Sequence, residues 1–167
     1  GGALAMSMHP VEAVFATAGQ DGKILIWDLT GAHSRCCIEV GSGWVENVLW
    51  SPDGARLASS HGREIQIFGV DGAEQWRSDE HLSTVSALGW LNSNELVSTC
   101  YGRVTIFDSD TGEPNPRFEW KGSLVSLALS PDGDVIACGS PDNSVHFWRR
   151  STGEDSMMAG YPGKPAA

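Results

Sequence analysis

One short turn recurs along this chain at a nearly constant interval, and that interval constrains the fold more than any other feature. The stretch Asn47-Val48-Leu49-Trp50-Ser51-Pro52-Asp53-Gly54-Ala55-Arg56-Leu57-Ala58-Ser59-Ser60 reappears as Leu127-Ala128-Leu129-Ser130-Pro131-Asp132-Gly133-Asp134-Val135-Ile136-Ala137-Cys138-Gly139-Ser140. Met6 to Ala18, with Pro10 at the turn, and Ala87 to Thr99, with Asn92 there, are the other two copies. From Pro10 the successive turn positions Pro52, Asn92 and Pro131 are 42, 40 and 39 residues apart. Four copies at that period mean stacked supersecondary units, each too small to bury its own apolar face.

Glycine and proline punctuation divides each unit into four short strands. In the second unit the strands are expected near Val45 to Trp50, Ala55 to Ser60, Glu64 to Phe68 and Ala73 to Arg77. Proline at the first central turn position with glycine closing the turn suits a type I turn followed by a left-handed residue. The third strands alternate, with Ile24 and Ile26 set against Lys23, Leu25 and Trp27, and Val145 and Phe147 set against His146. Ile65 and Ile67 flank Gln66, and Val104 and Ile106 flank Thr105. Alternation of period two predicts half-buried strands in sheets stacked face to face. Repeated four-stranded units of this kind form a β-propeller.

The 167 residues suffice for a domain with a real core, and 41% apolar against 19% charged residues gives no sign of disorder. A net charge of −10, with Arg149-Arg150 the only basic pair, argues against nucleic acid as the main partner. Gly1 to Met8 is apolar but short and has no basic leading region, so it reads as a strand rather than a signal peptide. No stretch has the roughly 20 apolar residues of a membrane span. Cys36, Cys37, Cys100 and Cys138 lack metal-ligand spacing, and reduced thiols in a cytoplasmic protein are expected. Cys100 and Cys138 read as small core residues.

These repeats resemble the WD40 β-propeller family over nearly the whole chain. The strand-ending Trp-Asp of that family stands here as Trp27-Asp28, degrading to Phe68-Gly69, Phe107-Asp108 and Trp148-Arg149. The family's turn aspartate matches Asp21 and Asp142, and its second-strand hydroxyl matches Thr17, Ser59 and Ser98, with Cys138 in the fourth repeat. Its Gly-His survives as Glu80-His81, with Gly41, Trp120 and Tyr161 at the equivalent sites. The resemblance therefore implies a structural network of Thr17, Asp21, Trp27, His81, Ser98, Asp142 and Trp148, complete in no repeat. Trp27, Trp50, Trp90 and Trp148 are expected to pack blades together.

Gly2, Trp44, Thr84, Ser123 and Lys164 hold one register position in successive repeats. Residues 1–165 then form one all-β unit of four four-stranded antiparallel blades, roughly 2–41, 42–80, 81–120 and 121–160. Residues 161–167 read as a tail or the start of a missing fifth repeat. Rings of this family have about seven or eight blades. Two chains joined head to tail into an eight-bladed ring are the expected outcome. The alternatives are a piece of a longer propeller or a monomeric four-bladed ring.

The resemblance places partner binding on the loops leading into the first strand and those joining the second and third. These loops carry Gln20, Trp44, His61, Arg63, Tyr101, Arg103 and Lys121. Aromatic and arginine side chains are typical interface anchors. The channel is expected to be lined by Leu4, Glu46, Asn47, Ser86, Ala87, Val125 and Ser126; one carboxylate per chain is thin for a metal. No phosphate loop, nucleophile elbow or zinc motif is present, and no catalytic group or cofactor is expected. The resulting expectation is a non-catalytic scaffold that binds protein partners and self-associates as a homodimer. The competing readings are a propeller that binds small molecules or sugars, and a half-propeller with no function of its own.

Overall fold

The computed structural model describes residues 2–31 and 33–160; Tyr161, Lys164 and the rest of the 161–167 tail lie outside the described residues. Sixteen strands form four antiparallel sheets of four, with no helix among the described residues. The first sheet contains β1 (Ala3–Met8), β2 (Val14–Gly19), β3 (Lys23–Asp28) and β4 (His33–Glu39) in sequence order. The second contains β5 (Val45–Trp50), β6 (Arg56–His61), β7 (Glu64–Gly69) and β8 (Glu74–Arg77). The third contains β9 (Ala87–Asn92), β10 (Glu95–Cys100), β11 (Arg103–Asp108) and β12 (Pro114–Glu119), and the fourth β13 (Ser126–Leu129), β14 (Val135–Gly139), β15 (Ser144–Arg149) and β16 (Asp155–Ala159). In the second sheet β5 is as expected, β6 is shifted by one residue from the expected Ala55 to Ser60, β7 runs one residue past Phe68, and β8 begins one residue after Ala73. The turn before β6 is closed by Gly54 with φ +75°, where the backbone favours glycine.

Each sheet is a meander, so its own hydrogen bonds give it width but no core. The core lies between sheets. Ile24, Ile26, Ala16 and Ile38 of the first sheet pack on Val48, Trp50, Leu57 and Phe68 of the second. Ile65, Ile67 and Ala58 of the second pack on Leu88, Leu96 and Phe107 of the third, and Val97, Val104 and Ile106 of the third pack on Ile136, Cys138 and Trp148 of the fourth. The same joint is thus made three times: the aliphatic face of one sheet covers the aromatic-ended face of the next. The first strands β1, β5, β9 and β13 are successive neighbours and form the inner wall.

This stacking corrects the expectation of uniformly half-buried third strands. In β7, Ile65, Gln66, Ile67 and Phe68 are all buried, and in β11 so are Val104, Thr105, Ile106 and Phe107, because these sheets are covered on both sides. Strands β3 and β15 keep the alternation but bury opposite sets. In β3 the isoleucines are inside, whereas in β15 Ser144, His146 and Trp148 are inside and Val145 and Phe147 are half-exposed. Trp27 also departs from its expected role. It stacks on Phe15 of its own sheet, centroids 6.0 Å apart, and belongs to no inter-sheet core among the described residues. Cys100 and Cys138 are buried free thiols, and burial pushes the Cys138 thiol up to about 12.

Truncating Ile65, fully enclosed between the second and third sheets, removes contacts on both sides. Ile65→Ala should cost about 2–5 kcal/mol in urea unfolding. Val70→Ala, on an exposed turn, should stay within about 0.5 kcal/mol.

Candidate functional site

The loops leading into the first strands and the turns joining second and third strands lie side by side at one end of the stack. Backbone bonds tie each lead-in loop to the turn of the preceding sheet. Val40 N donates to Gly22 O at 2.9 Å, His81 N to Arg63 O and Val85 N to Gly62 O at 2.8 Å, and Trp120 N to Gly102 O at 3.1 Å. The approach is closest at Gly22, where a Cβ would lie 1.8 Å from the Gly41 carbonyl oxygen, so only glycine fits.

Side chains tie the same loops to the turn of their own sheet. Gly43 N donates to His61 Nε2 at 3.0 Å, which secures the loop bearing Trp44. Tyr101 N donates to Ser83 Oγ at 2.8 Å. Gly2 N donates to Gln20 Oε1 at 3.1 Å. Arg63 instead reaches the lead-in loop of the next sheet: its Nε donates to His81 O at 2.7 Å, and its Nη1 lies 3.1 Å from Glu80. Arg103 lies 3.6 Å from Glu119, with its Nε buried and unpaired among the described residues. Lys121 is exposed on the loop between Trp120 and Gly122. Of the seven loop residues, His61, Arg63 and Gln20 therefore hold loops, whereas Trp44 and Tyr101 project, 55% and 57% exposed.

On the inner wall, the polar side chains are largely engaged. Glu46 accepts from Gly62 N at 3.2 Å, and Asn47 Nδ2 donates to Ser60 Oγ at 2.8 Å. Ser86 Oγ bonds Thr99 Oγ1 at 2.8 Å and also the Leu124 carbonyl, linking the third sheet to the segment leading into the fourth. Ser126, Leu4 and Val125 are exposed, and Ala87 is half-buried.

The polar network survives as three separate fragments. Trp27 Nε1 donates to Thr17 Oγ1 at 2.8 Å. His81 bonds Ser98 Oγ through Nε2 at 3.0 Å and the Arg63 carbonyl through Nδ1 at 2.9 Å, with its ring over Phe107. In the fourth sheet Asp142 accepts from Ser144 N at 3.0 Å and from its hydroxyl, and Ser144 Oγ lies 2.9 Å from His146 Nε2. Asp21 makes no side-chain hydrogen bond among the described residues, contrary to its expected role. Ser59 is buried without a partner, because Gly41 and Phe68 stand where a histidine and an indole would face it.

His146 is the residue that the sequence reading missed. It packs against Trp120 with centroids 3.6 Å apart and against Trp148 at 6.0 Å, filling the fourth-sheet site with a ring from the third strand. Its alternation with Val145 and Phe147 made it read as an outward-facing polar residue.

Burial holds the His81 imidazole below its ordinary pKa, with the Arg63 carbonyl bond opposing and the charges of Arg103 and Arg63 reinforcing the shift. A depressed histidine pKa means that the unfolded chain takes up its proton first as pH falls. Stability from this site should thus be full above pH about 6.5 and decline as acidification proceeds toward the lower folded pKa. Thermal unfolding between pH 7.5 and 5 should show that decline, and His81→Gln should flatten it.

A family model described as WD domain, G-beta repeat matches residues 2–28 and 114–149. Among curated proteins, a U3 small nucleolar RNA-associated protein 15 homolog of Gallus gallus is 30% identical over 158 residues, covering 92% of this chain and 30% of that protein. The serine-threonine kinase receptor-associated protein of Gallus gallus is 22% identical over 83% of this chain and 40% of its own length. Protein hir1 of Schizosaccharomyces pombe is 25% identical over 86% of this chain and 19% of its own length. The chain thus spans well under half the length of these relatives. With four sheets built from the recurring unit and matches at both ends of the chain, it belongs to the WD40-repeat family.

Proposed function

We propose that this chain is a non-catalytic protein-interaction scaffold that binds partner segments on its loop face. The observation that carries this reading is the pairing of two exposed aromatics, Trp44 and Tyr101, with loops fastened on two sides. A preformed loop loses little freedom on binding, so more of the contact energy appears as affinity. Large, stiff aromatic groups supply contact area at low entropy cost. Lys121 and the outer edges of the Arg63 and Arg103 guanidinium groups complete a polar rim.

The reading includes self-association into a homodimer and a cytoplasmic setting. Buried free thiols at Cys100 and Cys138 suit a reducing compartment. Protein, rather than nucleic acid, is the partner class that fits a chain of net charge −10. Relatives named for association with a kinase receptor or with a nucleolar RNA fit a role in assembly.

Crosslinking-assisted pull-down from a native lysate, with partners identified by mass spectrometry, tests the reading. The Trp44→Ala/Tyr101→Ala double variant should lose specific partners by at least tenfold, while its melting temperature stays within a degree or two of wild type. Retention of the same partners would place binding elsewhere on the molecule.

A further inference from the structure

The three inter-sheet joints are not equally filled. In the first sheet Ile38 of the fourth strand stands opposite Ile24, and in the third sheet Phe118 stands opposite Val104. Both reach across to the next sheet: Ile38 belongs to the core of the first joint, and Phe118 stacks on Trp148 with centroids 5.8 Å apart. In the second sheet the same place, opposite Ile65, is taken by Ser78. Its N donates to Ile65 O at 2.9 Å, and its Oγ accepts from Ile65 N at 3.0 Å. A hydroxymethyl group does not fill the space of an isoleucine or a phenylalanine. Between the second and third sheets there is accordingly a cleft of about 290 Å³, whose lining includes Arg77, His81, Leu82, Arg103, Thr105 and Phe107.

Two donors on one face of β11 line this cleft unused. Arg103 and Thr105, two residues apart, share the face that also carries Phe107. The Arg103 side chain is only 26% exposed, and its ion-pair partner Glu119 stands 3.6 Å away and is itself 76% exposed. Every other arginine whose side chain is described donates at least one side-chain hydrogen bond, whereas Arg103 donates none among the described residues and its Nε is buried without a partner. Thr105 is buried, and its hydroxyl makes no hydrogen bond among the described residues. A guanidinium presents five donors in a rigid fork that fits a carboxylate. The remaining charges lie at the mouth of the cleft. Arg77 is engaged with Glu64 and Glu74, and Glu80 with Arg63, while Asp79 and Glu113 are exposed. Two free acids there oppose a doubly charged phosphate more than a singly charged carboxylate.

We infer that an aspartate or glutamate side chain of the partner segment enters this cleft and sets its carboxylate on Arg103 and Thr105. This rests on the loop-face binding proposed above and names the kind of segment bound: an extended one with an acidic residue beside apolar ones. The cleft is continuous with the loop face. Leu82, 60% exposed, lines it, and the next residue, Ser83, accepts from Tyr101 N at 2.8 Å. A segment that covers Tyr101 and Leu82 with apolar side chains therefore reaches the cleft with its neighbouring residues. Phe107 offers apolar contact to the methylene groups of the entering side chain. A charge-assisted pair on a partly desolvated guanidinium is stronger than one at an open surface.

Selection from a randomised phage-displayed peptide library on the immobilised chain tests this. The selected peptides should carry Asp or Glu beside Leu, Phe or similar residues. A synthetic copy of one should lose affinity about tenfold or more when its acidic residue is replaced by the corresponding amide. Arg103→Gln should lose as much and make that replacement inconsequential. Ser78→Ile, which gives the second joint the side chain of the first, should keep the far-UV dichroism spectrum and also lose the acidic peptide. Peptides that bind through Trp44 and Tyr101 with no acidic preference overturn the inference and leave the loop-face reading standing. Acidic peptides that bind Arg103→Gln as tightly as wild type overturn it as well, as does a library that yields no binder. Glutarate offered alone and bound as tightly as the peptide overturns a peptide as the source of the carboxylate. Peptides lost with Arg103→Gln but retained by Trp44→Ala/Tyr101→Ala support the cleft and overturn the two aromatic anchors.

Discussion

Burial of one sheet's aliphatic face beneath the next sheet's aromatic-ended face holds this protein together, because no sheet here has a core of its own. A four-stranded meander satisfies its backbone but leaves two apolar faces wet, and each face is covered only by a neighbour. The effect is visible in exposure along equivalent strands. Gln66 and Thr105 are buried in the middle sheets, whereas Leu25 at the same place in the first sheet is half-exposed. Position in the stack, rather than residue polarity, decides which side chains are inside. The strict repetition of the joint also explains why four units of quite different composition adopt one register.

The same stacking positions the loops. Sheet n and sheet n+1 can approach only if the turn of one and the lead-in loop of the other interlock, and the backbone bonds at Gly22, Gly62, Arg63 and Gly102 are that interlock. Polar side chains add local fastening, in a different way at each unit. His81 and Ser98 hold the third, His61 and Gly43 the second, and Trp120, His146, Ser144 and Asp142 the fourth. Buried polar groups need partners rather than particular partners. That is why the network can degrade in sequence while the loops stay in place, with the Ser59 hydroxyl and the Trp120 indole N–H among the groups left as a residual cost.

A surface built this way suits recognition. Its loops are short, doubly fastened and set on rigid strands, and they present different side chains at equivalent positions: Gln20, His61, Tyr101 and Pro141. Such variety favours one extended, irregular contact over a set of identical small pockets.

Much of the fold is legible in the residues. The period, the Ser-Pro-Asp-Gly turns and the alternation specify four four-stranded units and their strand boundaries to within a residue in the second sheet, because turn chemistry and pleat periodicity are local. The site was legible only in part. Trp44 and Tyr101 could be placed on loops, but His61 could not be known to accept from Gly43, nor His146 to replace a histidine from another loop, since both depend on segments brought together by packing. The sequence by itself determined the strands, the turns and the repeat, because these follow from each residue's own backbone preferences and neighbours along the chain. Only the tertiary structure decided which face of each sheet is buried and which polar groups find one another, because burial belongs to pairs of sheets.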